Sequence, residues 1–278
     1  MALVGYMFSL DAYSPAEIAA RVETIGVKKA RMPLSQMVAL AALAGAFISF
    51  GAIFYTVVLS GSALGFGLTR LAGGLAFCVG LILVVLAGAE LFTGNNLVAM
   101  AWASRRISLA QLLRNWVVVY LGNAAGSLVI VALVLAAGTA SLNGGEVGEV
   151  ASAIARSKCE LTLVEAFARG VLCNTLVCLA VWLAMGGHTF TDKFLAVLFP
   201  ISAFVAAGFE HSVANMFFLP WGIAVSGDAS MVGPALVNLA VVTVGNLIGG
   251  SVLVAGTYWA VYLRHHPGEP PDQATAHR

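Results

Sequence analysis

One short polar pattern occurs twice in an otherwise apolar chain. Gly88-Ala89-Glu90-Leu91-Phe92-Thr93-Gly94-Asn95 and Gly208-Phe209-Glu210-His211-Ser212-Val213-Ala214-Asn215 both read G-x-E-x4-N. Each copy is followed by N-x6-G-N-x2-G, carried by Asn115, Gly122, Asn123 and Gly126 and by Asn238, Gly245, Asn246 and Gly249. Polar breaks duplicated inside apolar segments mark a membrane transporter or channel built from repeats, with its site where the helices break. Backbone broken at membrane depth is tolerated where protein buries it or a wet cavity lines it.

Composition agrees. Hydrophobic residues make up 60% of the 278 and charged residues 10%, with a mean hydropathy of +0.94. A soluble domain carries about 25% charged residues, so an ordinary cytosolic enzyme is excluded. A net charge of +1 leaves no basic footprint for nucleic acid. The first 30 residues lack the basic start, apolar core and cleavage site of a secretory leader. Cys78, Cys159, Cys173 and Cys178 form no C-x2-C pair, so neither a metal site nor a disulfide framework is expected. No cofactor is implied. H-E-x2-H, nucleophile-elbow and phosphate-loop motifs are missing, which argues against a membrane enzyme.

A spanning helix needs about 20 apolar residues. Six candidates lie near 35–59, 71–98, 112–137, 162–185, 193–222 and 234–263. The second and fifth run into the polar motif and then resume, which predicts a helix, a break and a short second helix. Ahead of them, Ser14-Pro15-Ala16-Glu17 is a capping-box start for a surface helix over 15–25, lying on the membrane or on a neighbouring subunit. Three segments result: a cytoplasmic N-terminal segment 1–34, a six-span channel domain 35–265 and a disordered tail 266–278.

Lysine and arginine set the orientation. Ten of them (Arg21, Lys28, Lys29, Arg31, Arg105, Arg106, Arg114, Lys193, Arg264 and Arg278) fall on the side of the termini, against Arg70, Arg156 and Lys158 on the other. Both termini are therefore expected in the cytoplasm. Three spans precede the second copy, so the two copies face opposite ways. The fold class read here is all-α integral membrane, an inverted 3+3 repeat with broken second and fifth helices.

Ionisable groups within a bilayer are costly and are functional candidates. His211 is the one histidine within the predicted spans, and its ordinary pKa of about 6.5 suits it to hold or pass a proton. Glu90 and Glu210 occupy matching positions. They could be pore carboxylates, or could cap broken-helix N–H groups and anchor the neighbouring loop with Asn95 and Asn215; an anion pathway favours the structural role. Thr93 offers a hydroxyl at the first break. Asn174 could donate into the same pathway or hold two helices together. Phe77, Leu81, Phe92 and Phe204 flank these groups and could form apolar constrictions. Glu165 and Arg169, four apart, are expected to pair.

At these residues the chain resembles the formate/nitrite transporter family over roughly 15–265. Leu86 to Gly94 and Gly170 to Ala180 look like the family's two signatures, and Gly208 to Met216 and Gly256 to Trp259 are also similar. Thr175 departs from the second signature, where an apolar residue is usual. The stretches from Asn174 to Trp182 and from Gly208 to Pro220 look most like formate channels.

The resemblance implies an aquaporin-like fold, a homopentamer with one pore per subunit, and passage of formate, nitrite or hydrosulfide. By motif, Thr93 matches the family's pore threonine and His211 its central histidine. Lys158 and Asn174 match polar groups of the outer funnel and pathway, and Leu81, Leu91 and Phe204 match constrictions. The expected protein is a formate channel of a bacterial-type inner membrane, pH-dependent and proton-coupled through His211. A nitrite or hydrosulfide channel, or an aquaporin-like pore for neutral solutes, stays open beside it.

Overall fold

The computed structural model describes residues 12–264. The expected tail 266–278 and the first eleven residues lie outside that range. Among the described residues the chain is helical, apart from one isolated bridge between Ala12 and Gly187. Helix α1 (Pro15–Ala30) precedes α2 (Leu34–Leu59) and α3 (Phe66–Ile82), which continues as a π-helical stretch, Leu83–Gly88. After the first break come a 3-10 turn (Gly94–Val98), the short α4 (Ala99–Ala103) and α5 (Leu109–Ala136). The second half repeats this order with α6 (Glu146–Cys159), α7 (Leu163–Gly186), α8 (Phe190–Ala207), a break, α9 (Ser212–Ser226) and α10 (Val232–Leu247). A π stretch (Ile248–Gly256) then leads into α11 (Thr257–Tyr262).

Six of these helical runs are long and apolar enough to cross a membrane. Their outer surface is apolar: Leu121, Phe199, Leu236 and Val252 stand exposed on it. Several runs begin where the local sequence dictates. Ser108 with Gln111, Thr162 with Glu165, and Thr189 with Asp192 each form a reciprocal capping box.

Helix α1 is longer than the 15–25 expected and lies against its own subunit. Ile18, Ala19 and Val22 pack on Leu97, Met100, Trp182 and Val254. Its apolar face exists because the helix roofs the end of the bundle, which its alternation of apolar and charged residues did not reveal.

The two halves pack alike. Helix α2 lies against α3 and α5, α7 lies against α8 and α10, and the halves meet through α3 with α8 and α5 with α9. A Cβ on Gly126 would overlap the Ala42 carbonyl, and one on Gly249 the Val171 carbonyl. Glycine at these matched positions lets the backbones touch.

Each break starts at a left-handed glycine, Gly88 (φ 86°) and Gly208 (φ 74°). The freed backbone is then satisfied by an asparagine from across the bundle. Asn123 Oδ1 accepts from Phe92 N (2.9 Å), and its Nδ2 donates to the Ala41 and Glu90 carbonyls (2.8 and 2.9 Å). Asn246 does the same in the other half: Ser212 N donates to Oδ1 (2.9 Å), and Nδ2 donates to the Gly170 and Glu210 carbonyls (2.8 and 3.0 Å). Both asparagines are fully buried.

Asn123→Ala and Asn246→Ala should each lower stability by about 2 kcal/mol or more, because each strands one buried N–H and one buried carbonyl of its break. Thermal denaturation in detergent checks this. A wild-type melting temperature for either variant would show that the break it serves does not depend on its clamp.

Candidate functional site

The two breaks bring Thr93 and His211 together. Thr93 Oγ1 lies 3.0 Å from His211 Nε2, and both residues are buried. His211 is also the N-cap of α9: Ala214 N donates to its Nδ1 at 3.0 Å. An Nδ1 that accepts a backbone N–H carries no proton, so in the neutral ring the proton sits on Nε2 and points at Thr93. Phe204 stacks on the imidazole (centroids 5.9 Å, 18°) and meets Phe77 edge-on at 5.8 Å. The pair is not duplicated. Leu91 stands in the first copy where His211 stands in the second, and Val213 stands where Thr93 would be.

Flanking this centre, each half builds the same polar ring. In the first, Lys29 Nζ bonds Glu90 Oε1 (2.7 Å) and Asn95 Oδ1 (2.9 Å). Asn95 Nδ2 donates to Glu90 Oε2 (2.7 Å) and Asn115 Oδ1 (3.0 Å), and Asn115 Nδ2 returns to the Lys29 carbonyl (3.3 Å). In the second, Lys158 Nζ bonds Glu210 Oε1 (2.8 Å), and Asn215 Nδ2 donates to Glu210 Oε2 (2.7 Å) and Asn238 Oδ1 (2.8 Å). Asn238 Nδ2 closes the ring on the Lys158 carbonyl (3.0 Å). Of the structural role left open for them, the carboxylates therefore do not take the capping part and do take the anchoring part. Asn123, Asn246 and His211 do the capping, and the glutamates tie the amphipathic helices α1 and α6 to the breaks.

The rings show two things the sequence reading missed. Lys29 is the counterpart of Lys158, although it was counted only for orientation. The signal was available: each lysine lies near the C-terminus of the amphipathic helix that opens its half. Lys158, expected as a polar group of the outer funnel, is paired with Glu210 and only 12% exposed.

A cavity of about 160 Å³ opens on His211 from the side away from α1. Phe77, Phe204 and Tyr55 line it, with Arg70, Lys158, Arg169 and Glu210 as its charged groups. Arg70, also missed, donates to the Ala206 and Val205 carbonyls (3.0 and 2.7 Å) and to the Tyr55 hydroxyl (2.8 Å), closing the end of α8 before the break. Nothing in its sequence neighbourhood marks it, because the carbonyls it closes lie more than a hundred residues away. Arg169 lies 3.8 Å from Glu165, the expected pair.

The remaining candidates sit around this centre. Asn174 is fully buried, and its Nδ2 faces the Thr93 carbonyl (3.3 Å), Asn96 Oδ1 (2.9 Å) and the Asn246 carbonyl (2.7 Å). Of its two open readings, the interhelical bond is the one the geometry displays. Leu81 and Leu91 are buried in the central apolar cluster with Phe77 and Phe204. Phe92 belongs to the same cluster and also meets Tyr120 of α5 edge-on at 4.9 Å.

Comparison with known proteins adds a family. The formate/nitrite transporter family matches residues 16–260. The formate channel FocA of Escherichia coli (strain K12) is 41% identical over 278 residues, covering 92% of this chain and 98% of its own. A probable formate transporter of Methanothermobacter thermautotrophicus is 42% identical, covering 90% and 97%. Among solved structures, a pentameric formate channel with formate bound is similar at 42% identity and a TM-score of 0.77, over 83% of this chain and 98% of that one. An FNT family ion channel is similar at 30% identity and a TM-score of 0.79, over 88% and 98%. With six apolar spans and an end-to-end match, the chain is a multi-pass membrane protein of a transporter family rather than an enzyme, and it belongs to the formate/nitrite transporter family.

Proposed function

We propose that the chain is a channel for small monovalent anions, formate first, that carries them with a proton past His211. The observation that carries this reading is the Thr93–His211 contact at the floor of a cavity with three cationic side chains and one carboxylate. The relatives named as formate channels support formate over nitrite and hydrosulfide. The working form is a homopentamer in the inner membrane with both termini cytoplasmic, as the lysine and arginine distribution and the pentameric neighbour suggest.

The chemistry follows from the cost of charge. Moving a bare carboxylate through an apolar constriction costs tens of kcal/mol in a dry medium. Protonating an acid whose pKa lies about three units below the ambient pH costs about 4 kcal/mol. The cheaper course is to cross as the neutral acid. The cations of the cavity raise the local anion concentration. Nε2–H of His211 donates to Thr93 Oγ1, which leaves the threonine hydroxyl proton free to meet an anion oxygen. A proton drawn from the aqueous cavity travels with the anion past Phe204, Leu81 and Leu91. Lys158 and Lys29 act from their rings on either side, Asn174 holds the two breaks at the spacing the contact needs, and Phe77 backs Phe204.

Two outcomes are expected in proteoliposomes. First, formate flux should acidify the lumen with one proton per formate and should depend on pH in the wild type. His211→Phe should lose that pH dependence and at least tenfold in rate, while His211→Asn, which keeps a hydrogen-bonding amide, should retain more flux. An unchanged pH profile in the phenylalanine variant would remove histidine from the mechanism. Second, formate should outpace nitrite and hydrosulfide at equal gradients, and glycerol should not pass. Equal currents of all three anions would make the formate assignment too narrow, and swelling on a glycerol gradient would favour a neutral-solute pore.

A further inference from the structure

The cavity above His211 has four charged groups in its wall, and they are not equivalent. Lys158 and Glu210 neutralise each other at 2.8 Å. The positive charge that remains belongs to two guanidinium groups, Arg70 on α3 of the first half and Arg169 on α7 of the second. Three hydrogen bonds fix Arg70 to two carbonyls and the Tyr55 hydroxyl, and among the described residues no carboxylate pairs with it. A guanidinium has five N–H donors, so those bonds leave donors on both terminal nitrogens. Arg169 has Glu165 at 3.8 Å, with the two side chains 41% and 50% exposed, an ion pair worth little in water. The wall between the arginines and the break is open because residue 208 is glycine: a Cβ there would stand 3.1 Å from Arg70 Nη2.

We propose that Arg70 and Arg169 form a docking site at this mouth for planar anions that carry two oxygens on one atom. A guanidinium presents parallel N–H donors that match two such oxygens at once, which an ammonium does not. Formate and nitrite have that shape. Hydrosulfide, with one heavy atom, gains from the charge but not from the fork. The site selects its anion class before the apolar constrictions are reached. This inference rests on the anion-channel reading above and narrows its substrate.

The experiment measures initial flux against concentration for formate, nitrite and hydrosulfide, using the purified full chain in liposomes. Among the described residues Arg169 makes no side-chain bond to backbone, so Arg169→Lys and Arg169→Gln are the main variants. Arg169→Lys keeps the charge and should raise the half-saturating concentration of formate and nitrite about threefold, leaving their maximal rates and the hydrosulfide curve in place. Arg169→Gln should raise it for all three. Arg70→Lys should act in the same direction as Arg169→Lys, with its melting temperature recorded because Arg70 also closes α8. A lysine variant that shifts all three anions equally, or none, while the wild type conducts formate, overturns the docking site alone. A wild-type chain that conducts none of the three overturns the channel reading and this inference together.

Discussion

Everything at the centre of this molecule depends on satisfying backbone that has left its helix inside an apolar medium. Each unpaired N–H or carbonyl there costs several kcal/mol. Two asparagines, Asn123 and Asn246, meet that demand with two hydrogen bonds each to the break, and a third ties each to the neighbouring helix, α2 or α7, as they reach across from α5 and α10. Their neighbours Gly126 and Gly249 let those helices come close enough to deliver the amides. The second shared motif, which looks like a packing pattern alone, is therefore the partner of the first.

On this frame the two halves keep their scaffolding and differ in their chemistry. The left-handed glycines, the glutamates, the ring asparagines and the lysines recur in both. Removing one partner of a buried ion pair typically costs 3–5 kcal/mol, which explains why lysine and glutamate stand together in each half. The contact between Thr93 and His211 has no duplicate. Antiparallel repeats place the two breaks face to face, so one copy supplies the hydroxyl and the other the imidazole. His211 serves both purposes, since its Nδ1 caps α9 and its Nε2 faces Thr93.

Pairing also changes which charges count. A lysine in a motif reads as a free cation, and a lone arginine in an apolar stretch reads as structural. In the fold Lys158 is half of a close, part-buried ion pair, whereas among the described residues Arg70 has no paired carboxylate and Arg169 has only the exposed Glu165 at 3.8 Å. Coulomb interactions grow as water is excluded, so an uncompensated charge beside the narrow part of a cavity weighs more than a paired one.

The sequence by itself determined the class of protein, the six spans, the two breaks and their opposed orientation. Those properties follow from local composition: apolar run length, glycine and capping residues at helix ends, and the bias of lysine and arginine. It also singled out Thr93, His211, Glu90, Glu210, Asn95 and Asn215 as a group, because polar residues are conspicuous in an apolar setting. Tertiary structure alone decided what those groups bond to. The partner of Glu90 lies 61 residues away at Lys29, that of Glu210 lies 52 residues away at Lys158, and Arg70 reaches carbonyls more than 130 residues on. Hydrogen bonds and ion pairs act over about 3 Å in space, and the chain sets that distance only once its helices have packed.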